Sequence, residues 1–108
     1  MVDEVAGGFT MAVRRDGTNA IVELGGEFDL HASERLDGGV ALAVADAATI
    51  DVDANGVTFI DSCGLRALLV ARDAARERGA VFRVTGASKQ VTWVVEIAGV
   101  TDLLHSAP

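Results

Sequence analysis

The feature that most constrains the fold is a junction between an apolar run and an amphipathic helix in the middle of the chain. Residues 57–60 (VTFI) form the apolar run, and Leu65, Leu68 and Leu69 then recur at helical spacing. Such a run is typical of a buried strand, and the later spacing predicts a helix over about 63–78. Because a strand that leads directly into a helix is the repeating unit of α/β proteins, other strands and helices should complete a sheet.

The remaining segments continue this alternation. Asp16-Gly17 is a turn pair that predicts a hairpin, whereas Gly25-Gly26 is expected to break the second strand. Ser88 and Gly99 fit the cap and the stop of a last helix. The order predicts a mixed sheet covered by helices. The expected strands are 9–14, 20–24, 49–53 and 80–84, with short pieces at 27–30 and 57–60; the expected helices are 32–46, 63–78 and 88–98, and 100–104 is a short strand or turn.

Length and charge exclude several classes of protein. The 108 residues suit a single domain over 1–108, ordered over about 9–104, with residues 1–8 and 105–108 disordered. A net charge of −7 with a single lysine argues against nucleic-acid binding and anionic membranes. One cysteine, no secretory leader and no long apolar stretch predict a cytoplasmic protein without membrane insertion. Neither a phosphate-binding loop nor metal-ligand spacing is visible, so no cofactor, metal site or catalytic residue is expected.

Three blocks of sequence resemble the STAS domain family of anti-sigma factor antagonists. Residues 55–65 (NGVTFIDSCGL) are similar to its strand followed by Asp-Ser-Ser-Gly-Leu at the start of a helix. Residues 26–29 (GEFD) are similar to its Gly-Glu-Leu-Asp stretch, and residues 94–100 (VVEIAGV) to its terminal helix. The resemblance implies an α/β fold with a mixed sheet of about five strands and three to four helices packed on it.

The resemblance also implies a switch rather than an enzyme. Family members bind an anti-sigma factor that is a serine kinase and so release a sigma factor. The kinase phosphorylates the first serine of the motif, here Ser62, which weakens the complex, and a serine phosphatase restores it. Cys63 departs from the second serine that the family often has. The partner-binding residues implied by the resemblance are Asp29, Asp61, Ser62, Cys63, Gly64 and Arg66.

Several of these residues have alternative interpretations. Spacing alone favours Ser62 as a helix N-cap, which is compatible with an exposed phosphoacceptor. Asp29 and Asp61 are candidates for acid–base chemistry, but carboxylates at such positions are more often turn formers or caps. The resemblance implies a third role for Asp29, shaping the surface around the phosphoacceptor, and this role is preferred. Cys63 is either a thiol activated by the helix end or a small packed residue. Trp93 is either an exposed contact residue or a partly covered rim residue.

Two other functions remain open at this point. A small STAS subunit of a lipid-transport ATPase, or another regulatory interaction module, fits the same fold. An enzyme that uses Asp29 and Asp61 is least favoured, because no cofactor loop or general base is visible.

Overall fold

The computed structural model describes residues 2–6, 8–29, 32 and 46–104. Its strands form one five-stranded mixed sheet in the order β1-β2-β3-β4-β5. The first three strands pair antiparallel, whereas β3 with β4 and β4 with β5 pair parallel. The mixed α/β class predicted from the sequence is therefore confirmed. The strands are β1 Val2–Ala6, β2 Phe9–Asp16, β3 Asn19–Phe28, β4 Thr49–Ile60 and β5 Val81–Ala87.

Two α-helices and one 3₁₀ helix lie in the part of the chain that the structure describes. Helix α1 is Ser62–Glu77, helix α2 is Lys89–Ala98, and the 3₁₀ helix is Thr101–Leu104. This is fewer than the predicted three to four helices, since the helix expected over 32–46 lies outside the described residues except at its two ends. Within the described ranges, no helix has the length and apolar character needed to cross a membrane.

Three predictions about the strands need correction. The pieces predicted at 49–53 and 57–60 form the single strand β4. Residues 1–8 were expected to be disordered, but β1 pairs with β2, which extends the sheet by an edge strand. Gly25-Gly26 does not break the second strand, because β3 continues through it to Phe28 with irregular register. Gly26 has a φ of +78°, and a Cβ there would collide with the carbonyl oxygen of Gly8. Glycine therefore allows a close backbone approach inside the strand.

The helix ends confirm the predicted signals. The Ser88 hydroxyl accepts a hydrogen bond from the Val91 amide at 3.3 Å at the start of α2. Gly99 follows α2 in the left-handed conformation, with a φ of +73°. Gly79 follows α1 in the same way, with a φ of +79°. These short-range signals fixed the helix boundaries within one residue of the predicted positions.

One face of the sheet carries the apolar core. The core side chains occupy alternate positions along each strand and lie beside one another on paired strands. Leu68 and Ala71 of α1 line a small apolar cavity together with core residues of the sheet. Near the end of β3, the rings of Phe9 and Phe28 stack with centroids 5.3 Å apart. Core positions on β2 to β5 include Met11, Val13, Val22, Leu24, Ile50, Val52, Phe82 and Val84.

The other face of the sheet is held by polar pairs between neighbouring strands. Arg83 lies opposite Asp51 and donates to its Oδ1 at 2.7 Å. The Thr49 hydroxyl donates to the side chain of Asn19 at 2.6 Å. The two faces therefore differ in chemistry as the alternation of apolar and polar residues requires.

Leu68→Ala should lower the free energy of unfolding by about 2–5 kcal/mol, because a side chain only 1% exposed leaves a cavity under α1. Val70→Ala is the matched control on the same helix; since Val70 is 50% exposed, its cost should stay below about 0.5 kcal/mol. Urea unfolding of both variants measures the difference. Equal losses would contradict the assigned inner face of α1.

Candidate functional site

The parallel pairing of β3 with β4 brings two predicted carboxylates to one edge of the sheet. Phe28 and Ile60 are paired in register at the ends of these strands. The Asp61 amide then donates to the Phe28 carbonyl at 3.4 Å. Asp29 and Asp61 therefore follow directly after paired residues.

Asp61 is the N-cap of α1. Its backbone is extended, with φ −107° and ψ −174°, and its Oδ1 accepts a hydrogen bond from the Gly64 amide at 2.9 Å. The prediction that Ser62 caps the helix is wrong. Asp61 is the last residue with an extended backbone, and Ser62 is already the first residue of α1. The Ser62 hydroxyl is thus not needed for capping, and the residue is exposed.

Asp29 has a similar local role. Its Oδ1 accepts a hydrogen bond from the Ala32 amide at 3.1 Å, three residues further along the chain. Asp29 and Asp61 therefore both accept backbone hydrogen bonds, as turn-forming and capping carboxylates do. The geometry agrees with that interpretation rather than with an acid–base pair, and Asp61 directly precedes Ser62 in the chain.

Gly64 explains why the motif needs a glycine at the start of the helix. The residue is buried, and a Cβ there would collide with the carbonyl oxygen of Phe28 and lie 3.1 Å from Cγ1 of Ile60. Only a residue without a side chain lets α1 begin so close to the end of β3. Buried Gly64 thus allows the first turn of α1, which carries the exposed Ser62, to pack against the end of β3.

An exposed stripe runs along α1 from the junction. Ser62, Arg66 and Val70 are four residues apart and all exposed, while Cys63 is half-buried beside them. Residues at this spacing share one face of a helix. The sequence analysis missed Val70, because it stands in an apolar run that is typical of core residues.

Helix α2 presents an exposed apolar pair. Trp93 is 62% exposed and Ile97, one turn later, is 67% exposed. Trp93 is therefore not the partly covered rim residue that was one of its two interpretations. Apolar spacing on this helix predicts that Val91, Val95 and Ala98 share a buried face; Val91 and Val95 are buried, but Ala98 is exposed. The helical phase of those two valines was the signal that could have placed Ile97 outside.

A salt bridge lies at the opposite edge of the sheet from Ser62. Arg15, near the end of β2, donates to Asp46, ahead of β4, at 2.6 Å. The hydrogen bond from Arg15, followed by its charge, lowers the pKa of the Asp46 carboxyl. This salt bridge links the end of β2 to the segment before β4. It lies far from Ser62, so the charges that act on Ser62 are those near the start of α1.

With this arrangement in view, the sequence can be compared with known families. Residues 11–105 match the profile of a family described as Mlab, STAS domain. The chain belongs to the STAS domain family. No curated protein sequence matches this chain.

Several solved structures share the STAS fold of this chain. The unphosphorylated anti-sigma factor antagonist SpoIIAA has a TM-score of 0.77 and 20% identity over 91% of this chain and 88% of its own. The phosphorylated form from Bacillus has a TM-score of 0.70 and 19% identity over 91% of each chain. An anti-sigma factor antagonist from Mycobacterium paratuberculosis gives 0.78 and 21% over 93% and 86%.

A further neighbour comes from a different functional setting. A sulfate transporter family protein from Wolinella succinogenes has a TM-score of 0.70 and 22% identity, covering 82% of this chain and 73% of its own. At such identities the likeness establishes the fold, and function has to be argued from the site.

Asp61→Ala should lower the free energy of unfolding by about 1 kcal/mol, because the Gly64 amide loses its capping acceptor. Asp61→Asn keeps a capping oxygen and serves as the control, with most of the stability retained. Urea unfolding at neutral pH measures both. An alanine variant as stable as the asparagine variant would argue against the cap.

Proposed function

We propose that this STAS domain is a non-enzymatic, cytoplasmic anti-sigma factor antagonist that binds an anti-sigma factor serine kinase while Ser62 is unphosphorylated. In that state it would release the sigma factor. The observation that carries the proposal is the exposed Ser62 at the first position of α1, with the capping role taken by Asp61.

The position of Ser62 suits a phosphoacceptor. A kinase would transfer the γ-phosphoryl group of ATP to Oγ of Ser62, with release of the hydroxyl proton and ADP. Helix N-termini favour negative charge through their dipole and unpaired amides, so the phosphate would not unfold the domain. SpoIIAA, solved in unphosphorylated and phosphorylated forms, gives a precedent for one fold in both states.

The effect of phosphorylation would fall on the partner interface. A phosphate adds about −1.5 to −2 charges at neutral pH. It would stand beside Asp29 and Asp61, which already place negative charge at this edge of the sheet. A partner surface fitted to a neutral serine would then meet a dianion, and a cost of a few kcal/mol lowers affinity by roughly a hundredfold or more. A serine phosphatase would reverse the change.

A second candidate function is a STAS subunit of a transport assembly, such as a lipid-transport ATPase. The observation in its favour is the neighbour from the sulfate transporter family, which shares this fold. Co-purification from the native cell separates the two: a kinase-like anti-sigma factor supports the antagonist, and a membrane ATPase supports the transport subunit.

Ser62→Ala should keep the chain permanently able to bind its kinase in the presence of ATP, because no phosphate can be added. Ser62→Asp should weaken binding, because a fixed negative charge replaces the hydroxyl. Isothermal titration with each anti-sigma factor kinase of the same genome measures the affinities, and mass spectrometry after incubation with ATP locates the phosphate.

Ala74→Asp is the matched control, since it adds the same charge at an exposed position on α1 away from the junction. It should bind like the unmodified chain. Binding of Ser62→Asp as tight as that of the unmodified chain would refute the interface account.

A further inference from the structure

Arg66 stands one helical turn after Ser62 on α1, and both residues are exposed. Residues at positions i and i+4 have Cβ atoms roughly 5–6 Å apart, within reach of a direct ion pair. Helical side chains also lean toward the N-terminus, which brings a long side chain at Arg66 over Ser62. An acid preceding a base by four residues is the more favourable orientation of such a pair.

Arg66 has no acidic neighbour on its own helix. The residues three and four positions away in each direction are uncharged: Ser62, Cys63, Leu69 and Val70. The first turn of α1 contains no acidic residue. Within the described parts of the chain, no hydrogen bond or ion pair holds the Arg66 guanidinium.

The other arginines of α1 are either already paired with a carboxylate or far from Ser62 along the helix. Arg72 lies 3.0 Å from Asp102 and 3.4 Å from Asp73, so its charge is already compensated. Arg76 lies fourteen residues after the start of the helix, about 21 Å along its axis from Ser62. Arg66 is therefore the arginine of this helix placed to respond to a charge on Ser62.

We propose that, when Ser62 is phosphorylated, the Arg66 guanidinium pairs with the phosphate within the same chain; this rests on the proposed phosphorylation of Ser62. Guanidinium groups bind phosphate oxygens through two parallel N–H donors. Phosphorylation would then change the surface in two ways at once. It adds a dianion, and it withdraws the cation of the exposed stripe from the partner, so the switch does not depend on repulsion alone.

The test uses the full chain with phosphoserine introduced at position 62 during translation, so that no kinase or partner is needed. Phosphorus NMR follows the second ionisation of the phosphate against pH. In the phosphorylated chain that keeps Arg66, the pKa of this ionisation should lie a few tenths of a unit below its value in the phosphorylated Arg66→Gln variant, because the guanidinium stabilises the dianion. The difference should shrink in high salt.

Arg76→Gln is the matched control, since it removes an exposed arginine at the far end of the same helix and should leave the phosphate pKa unchanged. Arg66→Lys should retain part of the lowering. In proton–nitrogen spectra, the Nε–H signal of Arg66 should move with the phosphate titration and stay fixed without phosphate. Equal phosphate pKa values in the phosphorylated Arg66→Gln variant and in the phosphorylated chain that keeps Arg66 would overturn the pairing.

These readouts separate the pairing from the proposed function. If the phosphate pairs with Arg66 but phosphorylation leaves kinase binding unchanged, the antagonist function fails and the pairing stands. If phosphorylation weakens kinase binding but the phosphate pKa ignores Arg66, the pairing alone fails.

Discussion

The site depends on the parallel pairing of β3 with β4 up to their last residues. That pairing sets Phe28 beside Ile60, lets the Asp61 amide donate to the Phe28 carbonyl, and brings the first turn of α1 against the end of β3. Gly64 makes this approach possible, since any side chain would meet the same carbonyl. The exposed surface at Ser62 is thus the outer side of a tightly packed strand–helix junction. A serine on such a junction is held in a defined position without being buried, which suits recognition by another protein.

Structural support and the proposed signalling role fall to different residues at this junction. Asp61 caps the helix and Gly64 allows it to pack, whereas Ser62 and Arg66 lie on the surface. A charge added to Ser62 therefore meets the helix dipole and an exposed arginine side chain rather than the core. The stability of the sheet comes from elsewhere, chiefly the apolar face that α1 covers and the polar pairs on the other face.

The sequence predicted most of this architecture because its signals are local. The turn at Asp16-Gly17, the caps at Ser88 and Gly99 and the spacing of Leu65 and Leu68 each depend on neighbouring residues. It did not predict β1 or the passage of β3 through its glycine pair, because both depend on backbone contacts with distant residues. The cap was misplaced by one residue, since Asp61 and Ser62 both suit that position and only the backbone angles decide between them. The exposure of Val70 followed from tertiary packing, which apolar composition alone does not reveal, whereas the helical phase of Val91 and Val95 could have placed Ile97 outside.

The placement of the cap on Asp61 has an evolutionary consequence. A lineage can replace the neighbouring serine with alanine, asparagine or another small residue and still start the helix correctly. Under the proposed function, kinase control could therefore be gained or lost by a substitution at Ser62 alone while the fold is kept. The fold itself is shared with an anti-sigma factor antagonist and with a sulfate transporter family protein.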